Sequence, residues 1–383
     1  MNIDFDNAFP IGYHEFHKDP TYNFQLNRWH SLGLMRYEDL KSIGTGIITF
    51  EDWKKEMVKL AEKAISENRL LNAAFYYRAA EFYTMKGDHP EKEFYYDKFS
   101  ELFYQTIDLD LVERTFIPYL SYADLPSLRI RAKSDYKGTI LLHGGFDSFI
   151  EEWYLIMEYL SSNGFDVIGF EGPGQGHMLL KQGVPLDYEW EKPVKAVLDY
   201  YDLKEATLFG LSMGGWFCLR AAAYEPRIKN VIATGHAVDY SRIPPAFARW
   251  LMMFFIKYFR AYTGRSFEKM GARGGIKGWQ VNNLAHITKM EPLEAFEYSL
   301  NLNEENLSCE NIKQNVLYLT GRNDHFIPFK MHKIQLRLFT NVKSLKDRVY
   351  EQEDFANHHC QIGNIKLMLD DIVAWLKTLE SSQ

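Results

Sequence analysis

Cysteine is scarce: Cys218, Cys309 and Cys360 are the only three in 383 residues. They are far apart and form no CxxC pair, which reads as reduced thiols in a cytoplasmic compartment rather than a disulfide framework. Long apolar runs are also missing. The most apolar stretch, Trp250 to Phe259, is broken by Lys257 and is far shorter than the ~20 residues that span a bilayer. The opening residues, MNIDFDNAFP, are acidic and have no signal-peptide apolar region, so neither export nor a membrane partner is expected. There is no long Lys/Arg run, and 44 basic against 51 acidic residues leave a formal net charge of −7. A surface that tracks phosphates, and with it a nucleic-acid partner, is not expected.

What is present is an ordinary globular mixture, 46% apolar and 25% charged, which excludes a disordered, collagen-like or fibrous chain. Aromatics reach 15%, with 27 Phe, 24 Tyr and 8 Trp, enough for a large core. At ~150 residues per domain the length suggests two or three domains.

Two textures follow one another. From about Thr21 to Asp110 the pattern is helical: Trp53, Met57, Leu60, Ala61, Ala64 and Ile65 share one face, with Thr49 and Asp52 as caps. Further helices are expected over Leu70 to Met85, closed by Lys86-Gly87-Asp88, and over Pro90 to Ile107. No sustained repeat period supports a solenoid. After Leu111 short apolar runs alternate with helical stretches. A hairpin is expected at Glu113–Tyr119 and Leu128–Ala132, then strands at 139–142, 166–170, 207–209, 231–233, 316–319 and around Val349-Tyr350. Helices are expected at 152–160, 187–201, 214–224 and 365–379. Such alternation predicts an α/β fold with a mostly parallel sheet covered on both faces.

One stretch breaks the rhythm. About eighty residues separate the strands at Val231 and Val316, too many for a single crossover with loops of roughly 2–6 residues. The stretch is aromatic (Phe247, Trp250, Phe254, Phe255, Tyr258, Phe259) and holds a Gly271–Gly278 segment that reads as flexible. It is expected to be a helical lid over the carboxyl ends of the strands, where open parallel sheets bind ligands. The rings suit either an apolar substrate pocket or simple packing of the lid on the core. The expected domains are therefore 1–110 (helical), 111–237 with 309–383 (α/β core) and 238–308 (lid).

Four motifs carry chemistry. Gly210-Leu211-Ser212-Met213-Gly214 lies between an expected strand and an expected helix, the context of a nucleophile elbow, with the helix N-terminus aimed at developing negative charge. His143-Gly144-Gly145-Phe146-Asp147 follows another strand. Its glycine pair lets the backbone present the N–H of Gly145 or Phe146 beside that of Met213, as an oxyanion site requires. Asp324, in Gly321–Pro328, stands where an acid would orient an imidazole, and Ser, Asp and a late His is the chain order of a hydrolytic triad. Two adjacent histidines, His358 and His359, compete for the last place, and only one can reach both partners. A metal site at His-His-Cys is disfavoured because consecutive residues rarely converge on one ion. His14 and His17 lack HExxH spacing. Glu171-Gly172-Pro173-Gly174-Gln175-Gly176 fits neither GxGxxG nor a P-loop and reads as a tight turn. No metal and no cofactor are expected.

Taken together, HGGFDS, EGPGQG, GLSMGG, GRNDHFIP and the His-Cys before the last helix resemble the α/β-hydrolase fold family. More narrowly they resemble the branch that contains 2,6-dihydropseudooxynicotine hydrolase, the fungal polyketide-shortening hydrolases and the FrsA-like esterases. Phe24 to Trp29 (FQLNRW) is similar to the start of that branch's helical N-terminal domain. The resemblance implies Ser212 as nucleophile, Asp324 as acid and His359, which matches the family's His-Cys pair, as base. In the C–C-bond hydrolase of this branch a carboxylate two residues after the glycines matters; the matching residue here is Asp147, one methylene shorter than the family's Glu. The expected activity is serine hydrolysis through an acyl-enzyme on a small apolar or aromatic carbonyl substrate, either an ester or a β-diketone-like C–C bond. A second reading is a catalytically inactive, ligand-binding or regulatory member of the fold. Beyond the small-molecule substrate, a homodimer through the N-terminal helices is the partner to test.

Overall fold

A computed structural model describes residues 3–84, 90–273 and 275–380. Eight strands form one sheet: β1 (Val112–Leu120), β2 (Ala123–Ile130), β3 (Gly138–His143), β4 (Phe165–Phe170), β5 (Ala206–Leu211), β6 (Ile228–Thr234), β7 (Asn315–Gly321) and β8 (Ser344–Tyr350). Their order is β1-β2-β4-β3-β5-β6-β7-β8. Strand β2 pairs antiparallel with both neighbours, and every other pairing is parallel. The central strands β4 and β5 are buried at every position, as sheets covered on both faces require.

The strands are longer than their apolar centres. Strand β2 begins at Ala123 and contains Pro126. The proline sits just past the Ser127–Ile130 ladder to β4, where its carbonyl still accepts from the Glu171 N–H at 3.0 Å, so its missing donor removes only a terminal bond. Strand β8 reads SLKDRVY and buries only Tyr350, because it is the sheet edge.

The chain groups into two compact units whose bounds differ from the expected three domains. One joins Met1–Ile11, Asp110–Ala246 and Ser299–Gln383; the other joins Gly12–Leu109 and Phe247–Tyr298. Most of the insertion therefore belongs with the N-terminal helices instead of forming a body of its own. Trp279 explains this locally: its ring stacks on Phe82 at 4.7 Å and its indole N–H donates to the Phe82 carbonyl at 2.9 Å. The first residues join the sheet unit through Phe5 and Phe9, which meet Tyr159 edge-on at 5.3 and 6.3 Å.

Within the helical unit, Phe50–Ser66 starts with the reciprocal Thr49/Asp52 cap. The next helix ends at Phe82; its expected end at Met85 and the Lys86-Gly87-Asp88 stop lie outside the described residues. The Gly271–Gly278 segment, expected to be flexible, is helical at most of its described residues. Helices Arg260–Ala272 and Gly275–Thr288 occupy all but its middle. A Cβ on Gly278 would come within 3.0 Å of the Met270 carbonyl oxygen, so glycine there lets two helices approach. His14 and His17 serve the loop before Pro20–Ser31: Asn27 bonds both backbone groups of His14, and His17 Nε2 lies 2.9 Å from the Ile47 carbonyl.

Candidate active site

Strand β5 ends at Leu211, and the helix Met213–Tyr224 starts two residues later. Ser212 makes the turn at φ 61° and ψ −131°. Such backbone geometry costs a side-chain-bearing residue about 1–3 kcal/mol and persists only where packing imposes it. The packing is visible: a Cβ on Gly210 would lie 2.0 Å from the Gly214 carbonyl oxygen. The strand end can come this close to the helix start only because position 210 is glycine, while a Cβ on Gly214 would meet the Gly144 carbonyl oxygen at 2.5 Å.

The imidazole and the acid arrive from distant loops. His359 Nε2 lies 2.9 Å from Ser212 Oγ, and His359 Nδ1 lies 2.6 Å from Asp324 Oδ2. The other carboxylate oxygen of Asp324 accepts the N–H groups of Phe326 (2.8 Å) and Ile327 (2.9 Å). The acid is therefore clamped by its own loop with one oxygen left for the ring. His359 is buried. Burial alone would push its pKa down, but the Asp324 carboxylate and the adjacent Cys360 outweigh it and hold the ring well above its ordinary value. His358 is half-buried and its pKa is lowered, mainly by burial. Of the two adjacent histidines, His359 is the one brought to Ser212 and Asp324.

The glycine loop after β3 packs on the elbow. A Cβ on Gly145 would sit 2.6 Å from the Met213 nitrogen, so the loop backbone passes directly over the first turn of the helix, where N–H groups have no intrahelical partner. Phe146 and Asp147 follow, half-buried. Sequence reasoning missed what holds this loop. The Gln175 amide donates to the carbonyls of Gly144 (2.9 Å) and Gly145 (3.0 Å), while its oxygen accepts the Gly172 N–H at 3.0 Å. Buried Glu171 accepts the N–H groups of Ile150 (3.2 Å) and His177 (2.7 Å). EGPGQG is thus a clamp on the HGG loop as well as a turn; the only hint in the sequence was an amide and a carboxylate between glycines.

Behind Ser212, buried His143 packs its ring on Phe170 and Trp190, and burial lowers its pKa to about 4. It is a neutral structural ring. The three cysteines are free and buried. A cavity of about 860 Å³ opens at the opposite, amino-terminal edge of the sheet, among residues such as Lys137, Glu205, Asn230 and Asn315, and its walls include none of Ser212, Asp324 and His359.

Residues 140–351 match the alpha/beta hydrolase fold family. The chain belongs to the α/β hydrolase fold family. Among curated relatives of this α/β hydrolase, the alpha/beta hydrolase ucsC of an Acremonium species is 28% identical over 56% of this chain and 49% of its own. The hydrolase acrC of Aspergillus aculeatus is 32% identical over 47% and 50%. The chain spans about half the length of these two relatives. The 20-hydroxy-prefusarin hydrolase FUS2 of Gibberella moniliformis is 35% identical over 35% of each chain. Among solved structures, 2,6-dihydroxy-pseudo-oxynicotine hydrolase superposes with a TM-score of 0.63 at 19% identity, covering 92% of this chain and 94% of its own. The protein AbyA5 superposes with a TM-score of 0.64 at 18% identity, covering 94% and 92%. These likenesses support the fold over nearly the whole chain.

Proposed function

We propose that this α/β hydrolase is a serine hydrolase that works through an acyl-enzyme on a small carbonyl compound. The observation that carries the reading is the continuous relay from Ser212 Oγ through both nitrogens of His359 to Asp324. In this mechanism neutral His359 takes the Ser212 proton as Oγ attacks the substrate carbonyl. The oxyanion accepts from the N–H of Met213 and from the N–H of Gly145 or Phe146. His359 then gives its proton to the leaving group as the carbonyl–leaving-group bond breaks. Water, deprotonated by His359, attacks the ester on Ser212, and the acid departs. Asp324 stays ionised, holding the ring and stabilising its cation.

Fluorophosphonate labelling tests this. The wild-type chain is expected to be labelled and Ser212→Ala not. Equal labelling of both, or none of either, refutes the reading and favours a binding or regulatory protein on this fold. The bond cleaved is tested on p-nitrophenyl esters beside β-diketones. Diketone cleavage that is lost in Asp147→Asn assigns carbon–carbon chemistry; cleavage of esters alone assigns an esterase.

A further inference from the structure

The helix Ala246–Tyr258 is built inside out. Among its residues Ile256 alone is buried, while Phe247, Trp250, Leu251, Phe254 and Tyr258 are 72, 59, 38, 37 and 60% exposed. Their spacing puts them on a single stripe, so the apolar face of this helix points to water. The expectation that these rings line a pocket or pack a lid onto the core fails for this stripe. The rings touch one another along it: Phe247 to Trp250 at 6.1 Å, Trp250 to Phe254 at 5.7 Å and Phe254 to Tyr258 at 5.0 Å. Phe259 and Tyr262, 50 and 61% exposed, extend the patch into the next helix. A contiguous apolar surface of this kind marks an interaction site rather than scattered exposure.

Charge says what kind of partner fits. In a chain of net charge −7, the segment 246–277 carries seven Lys/Arg residues and a single acid, Glu268. Lys257, Arg265, Lys269, Arg273 and Lys277 are exposed. A second copy docked face to face on this patch would bring like charges together. An anionic lipid surface takes both features at once. Trp, Phe and Leu enter the headgroup–acyl boundary to a depth of ~5–10 Å, Trp and Tyr rings suit that interface, and Lys and Arg meet lipid phosphate and carboxylate groups.

We propose that the stripe Phe247–Tyr258 and the basic residues that follow it form a docking surface for an anionic bilayer, lying in the plane of the membrane. No described helix is long and apolar enough to cross a membrane, and this one has 13 residues; the proposal is surface attachment without a span. It does not depend on the hydrolase reading, since Ser212→Ala is expected to bind like wild type.

The test is co-sedimentation of the 383-residue chain with phosphatidylcholine vesicles and with vesicles about one-third phosphatidylserine. Binding to the anionic vesicles is expected to be at least ~tenfold tighter and to weaken in ~0.5 M NaCl. Trp250→Ser with Phe254→Ser should weaken it by about tenfold or more. Lys269→Glu with Lys277→Glu should weaken binding to anionic vesicles only. These positions are exposed, and matching melting curves certify that the variants fold. Binding to neither vesicle type, or equally to both, overturns the proposal. So does light scattering that shows a dimer dissociated by Trp250→Ser with Phe254→Ser, which assigns the stripe to a second copy.

Discussion

Thr234, the last residue of β6, donates its hydroxyl to the Gln361 side-chain oxygen at 2.7 Å, and both residues are fully buried. Gln361 and its neighbour Cys360 both hold positive φ, 56° and 50°, directly after His359. Two strained residues in succession need an outside anchor, and this bond supplies one between the sheet and the turn that carries the imidazole. Gly235 closes the same spot: a Cβ there would meet Cys360 Sγ at 2.6 Å and His359 Cε1 at 3.1 Å. Thr234→Val keeps the shape but leaves a buried acceptor without its donor, at a cost of about 1–3 kcal/mol. We expect kcat to fall about tenfold or more with KM little changed, because the ring is misplaced and binding is not. Thr234→Ser, which keeps the hydroxyl, should restore most of it. A drop in melting temperature with kcat intact in Thr234→Val would reduce the bond to a purely structural one.

Gln175 is expected to govern the oxyanion loop. Gln175→Met removes the amide and leaves the carbonyls of Gly144 and Gly145 without its donors. The loop over Met213 should lose its fixed distance, and kcat and the rate of fluorophosphonate labelling should fall together by roughly 10–100-fold, somewhat less than deletion of an oxyanion donor. A rise in KM alone would refute the role.

How far the sequence reached depended on which interactions are local. The elbow was legible because strand, GxSxG and helix are contiguous, and the acid because a turn after a strand announces it. The choice between His358 and His359 was not settled by the chain's own geometry, since neighbouring side chains differ only in direction, and the family resemblance was needed to name one. Gln361 and Thr234 lie more than a hundred residues apart, and nothing local in either marks the bond. Strand centres such as Ile140–Leu142 were legible as apolar runs. The charged edge β8 and the proline in β2 were not, because strand ends are defined by partners. The outward turn of the Phe247–Tyr258 rings is likewise a tertiary fact: helical spacing gives the stripe but not the side it faces.

The pH dependence of activity follows from His359. The reaction uses the neutral ring, and the folded pKa stands well above 6.5. The acid limb of kcat/KM should therefore lie above 6.5, with activity rising as the ring loses its proton. Asp324→Asn removes the largest raising influence and leaves burial, which lowers. The limb should move to lower pH while kcat drops by about 10³–10⁴-fold. A limb that stays in place in Asp324→Asn would show that another group controls it.

Stability should depend on pH in two opposed ways. Burial lowers the folded pKa of His143 and His236 from 6.5 to about 4. As pH falls from 6.5 toward 4 the unfolded chain takes up these two protons and the folded chain does not, so both rings destabilise the fold progressively in that window. His359 has the opposite sign: its contribution is fully present below 6.5 and fades as pH rises through its raised folded value. His359→Gln removes this second effect and also takes away one influence on His325, whose pKa burial and the neighbouring His359 lower to about 4. In melting curves across the neutral to alkaline range, wild type should lose stability with rising pH relative to His359→Gln. Between pH 6.5 and 4 both should lose stability, because His143 and His236 are common to the two. Parallel curves over the whole range would mean that Asp324 does not raise the imidazole pKa in the folded chain.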